Sequence, residues 1–260
     1  MATYNISFAG AGNVAVSLCT GLKAAGHKIL SVTSRGGDSA RALAAAAGAR
    51  VMEDLSVPGD CDVFILAVTD TAIPEVASEI PVPEKTIVVH TAGSVPLSAL
   101  GRRKNAGVFY PLQTFTKGFS PDLGKVPFFI EATDESTRAV LRELGESIGA
   151  GAWDCDSDQR KKLHVAAVFC NNFSNFMMTA GEMIASEAGL DPSLLNPLIG
   201  ETARKAVRKG PTAAQTGPAV RHDDSTIKSH IDLLSFMPDY QELYRLISKM
   251  ISAHYSKDVQ

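Results

Sequence analysis

The chain has 260 residues, of which 45% are hydrophobic, 20% charged and 7% aromatic, and its formal net charge is -3. That length supports one large domain or two modest ones with a working core, and it excludes a disordered tail, a collagen and a stapled miniprotein. The small charge gives no basic face for nucleic acid or an acidic membrane, so a nucleic-acid partner is not expected. Cys19, Cys61, Cys155 and Cys170 lie far apart with no CxxC pair, which argues against a zinc knuckle or a disulfide framework; no metal is expected, and a reducing cytoplasm fits. The amino terminus enters an apolar run by Ile6 without a basic head or cleavage site, and no apolar run approaches the roughly 20 residues of a membrane span. A soluble, cytoplasmic protein is the expectation.

From Asn5 to about Asp154, runs of Val, Ile and Phe alternate with stretches of Ala, Glu and Leu, the pattern of a parallel sheet covered by helices. The runs predict strands near Ile6 to Ala9, Ile29 to Thr33, Arg50 to Met52, Val63 to Val68, Thr86 to Val89, Val108 to Tyr110, Phe128 to Glu131 and Ala152 to Asp154. The clearest helices between them run from the Gly12 turn to Ala25, from Asp38 to Ala47 and from Glu135 to Ile148. After Trp153 the strand-like runs vanish. Asp156 or Ser157 can cap a helix reaching about Ala188, Asp191 and Pro192 open another that ends near Gly210, and two more follow a loop from Pro211 to Asp224. The fold class is therefore α/β: a doubly wound, Rossmann-type dinucleotide-binding domain over 1–154, then an all-helical substrate and dimerisation domain over 155–260.

Tyr4 to Arg35 form a complete strand, glycine turn, helix and second strand, with Gly10-Ala11-Gly12-Asn13-Val14-Ala15 at the turn. This is the dinucleotide fingerprint in its GxGxxA form. Gly10 permits the tight bend, Gly12 lets the backbone approach a pyrophosphate, and Ala15 lets the helix pack closely on the sheet, while the helix end supplies free N–H groups. An acid at the end of the second strand would hold the ribose 2'-hydroxyl of NAD. Here Thr33, Ser34 and Arg35 stand there and no carboxylate appears before Asp38, so the expected cofactor is NADP(H), its 2'-phosphate paired with Arg35. The alternative for Arg35 is a solvated loop charge.

Ala67, Val68 and Thr69 end the fourth strand and His90 the fifth, both at the carboxyl edge where open sheets bind ligands, which makes them cofactor neighbours. Asp70 is expected to cap the helix that follows, and His90 either lines the nicotinamide pocket or is a buried, backbone-satisfied histidine. The segment Leu163 to Met178 is apolar on nearly every side and is expected to be buried in a domain core or subunit interface. On it His164, Asn171, Asn175 and Glu182 share one face at 100° per residue, either as an internal network or facing a wet cleft. In the cleft, His164 is the candidate proton donor and Asn171 and Asn175 the positioning donors, with Ser94 and Gln113 as pocket residues. Arg221, beside His222, Asp223 and Asp224, either clamps a substrate carboxylate or belongs to a salt-bridged loop.

The stretches Gly10 to Ala15, Tyr110-Pro111-Leu112-Gln113-Thr114-Phe115, His164 to Asn175 and Ala214 to Arg221 together make the chain resemble Rossmann-like NADP-dependent oxidoreductases with a carboxyl-terminal helical domain of unknown function. These are related to pyrroline-5-carboxylate reductase, prephenate dehydrogenase and the 3-hydroxyacid dehydrogenases. The resemblance covers essentially the whole chain and implies NADP binding at the first motif, a substrate pocket between the domains and a homodimer through the carboxyl-terminal helices. Relatives carry a His-Pro dipeptide where this chain has Tyr110-Pro111. The expected activity is hydride transfer to or from a small carbonyl, imine or hydroxy acid; the alternative is an NADP(H)-binding sensor without turnover. A deazaflavin coenzyme is also found on related folds, but no residue here selects it.

Overall fold

The computed structural model describes residues 2–52 and 60–256, and the chain divides into two units at Asn171/Asn172. The division lies one helix beyond the change in composition at 154/155. In the first unit, β1 (Asn5–Ala9) leads into α1 (Asn13–Ala24), β2 (Lys28–Thr33), α2 (Gly37–Ala47), β3 (Arg50–Met52) and β4 (Val63–Leu66). Then come α3 (Ile73–Glu79), β5 (Ile87–His90), β6 (Ala106–Pro111), β7 (Phe128–Ala132), α4 (Glu135–Ser147), β8 (Ala152–Asp154) and α5 (Ser157–Ala167). Every expected strand forms within a few residues of its expected span. Asp156 opens α5 with a reciprocal capping box to Gln159, so the first expected cap is the one used.

Among the described residues eight strands lie in the order β3-β2-β1-β4-β5-β6-β7-β8. The order reverses between β1 and β4, and in such sheets the crevice beyond the carboxyl ends of those two strands is where ligands bind. One strand departs from the expected parallel sheet: β7 pairs antiparallel with β6, from Gly107 opposite Ala132 to Pro111 opposite Phe128. The link between them carries no crossover helix, only loop and one short 3-10 turn, so the chain returns beside β6 in the opposite sense.

Both faces of the sheet are covered, and β4 shows why its sequence reads as a continuous apolar run. Val63 and Ile65 enter one core with Ile6, Phe8 and Leu18, while Phe64 and Leu66 enter a second with Ile73, Val88 and Leu100. Burying each such side chain contributes about 1.5 to 3 kcal/mol, so a strand with every side chain in one core or the other has no polar alternation to show.

The second unit is helical: α6 (Ser174–Glu187), α7 (Asn196–Lys209), the short α8 (Pro211–Ala214), α9 (Asp224–Leu233) and α10 (Pro238–Tyr255). Thus the loop expected from Pro211 to Asp224 holds one helical turn of its own. The helix expected to run unbroken to Ala188 is interrupted by a π-helical turn over Val168–Phe173. Among the described residues no helix is long and apolar enough to cross a membrane.

Candidate cofactor and active site

At the switch point the glycine turn is built for a ligand that touches backbone. Gly10 sits at φ +106°, where side chains are strained, and a Cβ there would overlap the Ala67 carbonyl oxygen. A Cβ on Gly12 would meet nothing within 4 Å, so the bare backbone opens outward. Gly12 is also the N-cap of α1, makes no side-chain cap bond, and is followed by a first turn without an acid. The leading N–H groups of a twelve-residue helix therefore face the opening with their positive dipole end and no carboxylate in the helix's own first turn. Fully buried Ala15 seats that helix against the sheet. A pyrophosphate fits this cradle.

The cradle opens into a cavity of about 490 Å³ that Gly10, Ala11, Gly12, Thr33, Ser34, Arg35, Ala67, Val68 and Thr69 all line. Nine of the residues named from sequence are thus gathered by the ends of β1, β2 and β4. Arg35 is exposed and makes no ion pair or hydrogen bond among the described residues, while Asp38, the first carboxylate after β2, is held by Arg41 at 2.5 Å. Thr33 is almost wholly buried, whereas the Ser34 hydroxyl accepts the Gly36 N–H at 3.3 Å and keeps its own proton to donate. Besides Ala9 and Gly36, the lining includes Ala72, Glu75, Val76 and Glu79 from α3 and the turn before it. Sequence reading missed them because Glu75 and Glu79 look like the solvated face of a short helix.

Three expected cofactor neighbours are placed outside this cavity. Asn13 spends its side-chain amide on the Phe115 carbonyl at 3.0 Å, tying the loop after β6 to the glycine turn, and Val14 is half-buried against the core. His90 has no exposed surface. Its Nδ1 accepts the Ala92 N–H at 3.2 Å, its Nε2 has no hydrogen-bond partner of good geometry, and burial, helped by the nearby Arg160 cation, pulls its pKa down to about 4. His90 is thus buried and satisfied by backbone at Nδ1 alone among the described residues. Asp70 is not the helix cap either: Thr69 holds that position, and the Asp70 carboxylate instead accepts the Ser94 hydroxyl.

At the carboxyl ends of β5 and β6, His164 comes in from α5. Its Nδ1 lies 3.1 Å from the Tyr110 hydroxyl, with the rings edge to face at 6.0 Å. Gly93 makes that approach possible, since a Cβ there would stand 2.7 Å from His164 Nδ1 and 2.8 Å from Tyr110 Cζ. His164 is therefore packed against the strand ends next to exposed Ser94. Below it Arg160, one turn earlier on α5, is completely buried: it pairs with Glu131 at 2.5 Å and donates to the Val95 carbonyl at 2.7 Å. Gln113 is exposed on the loop after β6, and its Oε1 accepts the Thr114 N–H at 2.8 Å.

The polar stripe does not survive intact. Asn171 lies inside the π turn and Asn175 beyond it, and because a π turn rotates less per residue, positions past it are offset by roughly one residue, ~100°, from an α-helical count. Both amides are exposed, and neither side chain makes a hydrogen bond among the described residues. The surrounding segment is not buried within the chain, with Val165 at 56% and Phe169 at 61% exposure. In the second unit, Arg221 is exposed and without an ion pair among the described residues. The preceding Thr216 to Ala219 segment lines an apolar cavity of about 300 Å³ with Tyr240 and Tyr244. Among the described residues no three His, Cys, Asp or Glu side chains gather closely enough to hold a metal ion.

Comparison with known proteins agrees with this architecture. Residues 5–93 match the family model described as NADP oxidoreductase, coenzyme F420-dependent, and residues 126–251 match a domain of unknown function, DUF2520. A Bacteroides fragilis protein described provisionally as an NADP oxidoreductase is 38% identical, with 96% of this chain and 98% of that one covered and a TM-score of 0.90. A Thermotoga maritima protein shares the fold at 22% identity, with 98% of this chain and 100% of that one covered and a TM-score of 0.77. A pyrroline-5-carboxylate reductase from Coxiella burnetii does so at 20%, with 98% of each chain covered and a TM-score of 0.58. No curated protein matches. With near-complete coverage of the Bacteroides relative and both domain models in register, the chain belongs to the family of NADP oxidoreductases that joins a Rossmann-type domain to DUF2520.

Proposed function

We propose that the protein is an NADP(H)-dependent oxidoreductase that reduces, or in reverse forms, a small carbonyl, imine or hydroxy acid. The observation that carries this reading is the cavity in which the glycine cradle and an unpaired Arg35 share one wall with no carboxylate at the end of β2. A 2'-phosphate gains charge-assisted hydrogen bonds from Arg35, whereas the end of β2 offers a bare 2'-hydroxyl no acid, the acids of the cavity, Glu75 and Glu79, coming from α3. The bound nicotinamide supplies the hydride. The chain's own work is to hold the dinucleotide by Gly10 to Gly12 and Arg35, and to present the His164 ring to the substrate oxygen or nitrogen. Ser94, whose hydroxyl is held by Asp70 beside Gly93, and Gln113, on the loop after β6, are the proposed substrate-binding groups.

Titration calorimetry with both coenzymes tests this. NADPH is expected to bind at least roughly tenfold more tightly than NADH, and Arg35→Ala to remove that margin by weakening NADPH alone, since a hydrogen-bonded charge is worth about 1.5 to 3 kcal/mol. Equal affinities in the unaltered protein would defeat the cofactor assignment. Consumption of NADPH with a panel of carbonyls and imines, lost in His164→Ala, supports the enzyme; tight binding with no turnover across the panel favours a sensor.

We also propose a homodimer through the carboxyl-terminal helices. Val165, Phe169, Phe173 and Phe176 are 46% to 61% exposed along α5, the π turn and the start of α6, and a run of exposed apolar side chains is what a protein–protein contact covers. Sedimentation equilibrium is expected to give twice the monomer mass, and Phe169→Glu to shift it toward monomer. A monomer at every concentration would overturn this.

A further inference from the structure

We infer that Tyr110 is a positioning residue that fixes the neutral His164 imidazole in the tautomer with its proton on Nε2. The inference rests on the reading of His164 as the group that meets the substrate. Its basis is a count of donors. The Tyr110 hydroxyl lies 3.1 Å from His164 Nδ1, and neither atom has another partner among the described residues. Tyr110 is only 7% exposed, so a phenolic hydrogen turned away from Nδ1 would be left buried and unmatched. If the hydroxyl donates to Nδ1, that hydrogen and the ring lone pair are both satisfied, and a neutral imidazole must then carry its own proton on Nε2. Burial also pushes the Tyr110 phenol up, which keeps it in the protonated form that can donate.

The consequence is a preference in the site itself. Nε2 takes no partner from the protein among the described residues, so the half-buried ring offers an outside ligand a donor and no acceptor. That suits the lone pair of a carbonyl oxygen or imine nitrogen, and it favours reduction over abstraction of a hydroxyl proton. As negative charge builds on the ring while Nε2–H is shared with the substrate, the phenol donor at Nδ1 steadies it. Gly93 holds the pair together, because any larger residue would push the imidazole away from the hydroxyl. The Tyr-Pro dipeptide thus supports a histidine borne on a different element, α5.

The direct test is a long-range nitrogen–proton correlation spectrum of the labelled imidazoles at alkaline pH, with His164→Asn used to assign the signals. The expected result is a proton on Nε2 and a bare Nδ1 at His164. In Tyr110→Phe the tautomer ratio is expected to fall roughly fivefold, the equivalent of one net hydrogen bond. A predominant Nδ1–H form in the unaltered protein, which needs no variant to see, would overturn the inference, as would an unchanged ratio in Tyr110→Phe. With a reducible substrate, Tyr110→Phe is expected to lower kcat roughly tenfold with KM nearly held. The spectrum is independent of turnover: a protein that shows the Nε2–H form but never consumes NADPH loses the enzyme assignment alone, and one that turns over with Nδ1–H loses the tautomer assignment alone.

Discussion

Arg160→Ala is expected to destabilise the first unit by about 3 to 5 kcal/mol at neutral pH, enough to unfold a marginal protein. The guanidinium is completely buried, and its removal leaves Glu131, 19% exposed, facing the vacated space without its cation. The Val95 carbonyl also loses its donor, and Ser157 loses a neighbour that helps hold its hydroxyl between Arg160 and Glu131. Urea melts provide the measurement. The double change Arg160→Met with Glu131→Leu is expected to recover most of the loss, because a buried ion pair replaced by apolar groups of similar volume is often neutral. A single variant as stable as the parent would show that the pair does not anchor α5.

The same melts carry a pH signature from His90. Its pKa is about 4 in the fold against 6.5 free in the unfolded chain, so above pH 6.5 both states are neutral and the fold keeps its full stability. As pH falls from 6.5 toward 4 the unfolded chain takes up a proton that the fold refuses, and about 3 kcal/mol of stability is lost over that interval. His27, also buried and depressed, adds to the same slope. Arg160 is one cause of the His90 depression, so its removal is expected to flatten the acid slope as well as lower the plateau.

Much of this architecture was legible from local pattern. The GxGxxA turn between two apolar runs located the cradle, and the missing acid after β2 located Arg35, because both signals are set by backbone chemistry within one βαβ unit. What stayed hidden depends on partners distant in sequence. His90 and His164 are each a single histidine near apolar residues, and only the fold shows that the first is sealed under the β5 end while the second meets Tyr110, 54 positions away. The stripe of His164, Asn171 and Asn175 failed for another reason. A regular helical count has no means of registering a π turn, and nothing in Val168–Phe173 breaks helix propensity strongly enough to announce one. The apolar flanks of that segment, expected to be buried, stand partly open in the chain, with Val165 at 56% and Phe169 at 61% exposure.

Gly10→Ala and Gly12→Ala are expected to fail in opposite ways, although each adds one methyl group two positions apart in the same turn. At Gly10 the new Cβ would overlap the Ala67 carbonyl while the backbone sits at φ +106°, so β1 and β4 must separate or the turn must rebuild. A residue held in such a region costs about 1 to 3 kcal/mol before any clash is counted, and the variant is expected to lose several kcal/mol of stability together with coenzyme binding. At Gly12 φ is -77° and the space around the new Cβ is empty, so the fold is expected to stand with a loss of no more than about 1 kcal/mol, alanine being a poorer N-cap than glycine. The methyl group would nonetheless occupy the approach that a pyrophosphate needs, so NADPH affinity is expected to fall at least roughly tenfold, ~1.4 kcal/mol. Melting curves and calorimetry on the two variants separate a turn that shapes the fold from a turn that grips a ligand. Unaltered NADPH binding by Gly12→Ala would mean that the dinucleotide does not lie across this helix end, and the assignment of the cavity would fall with it.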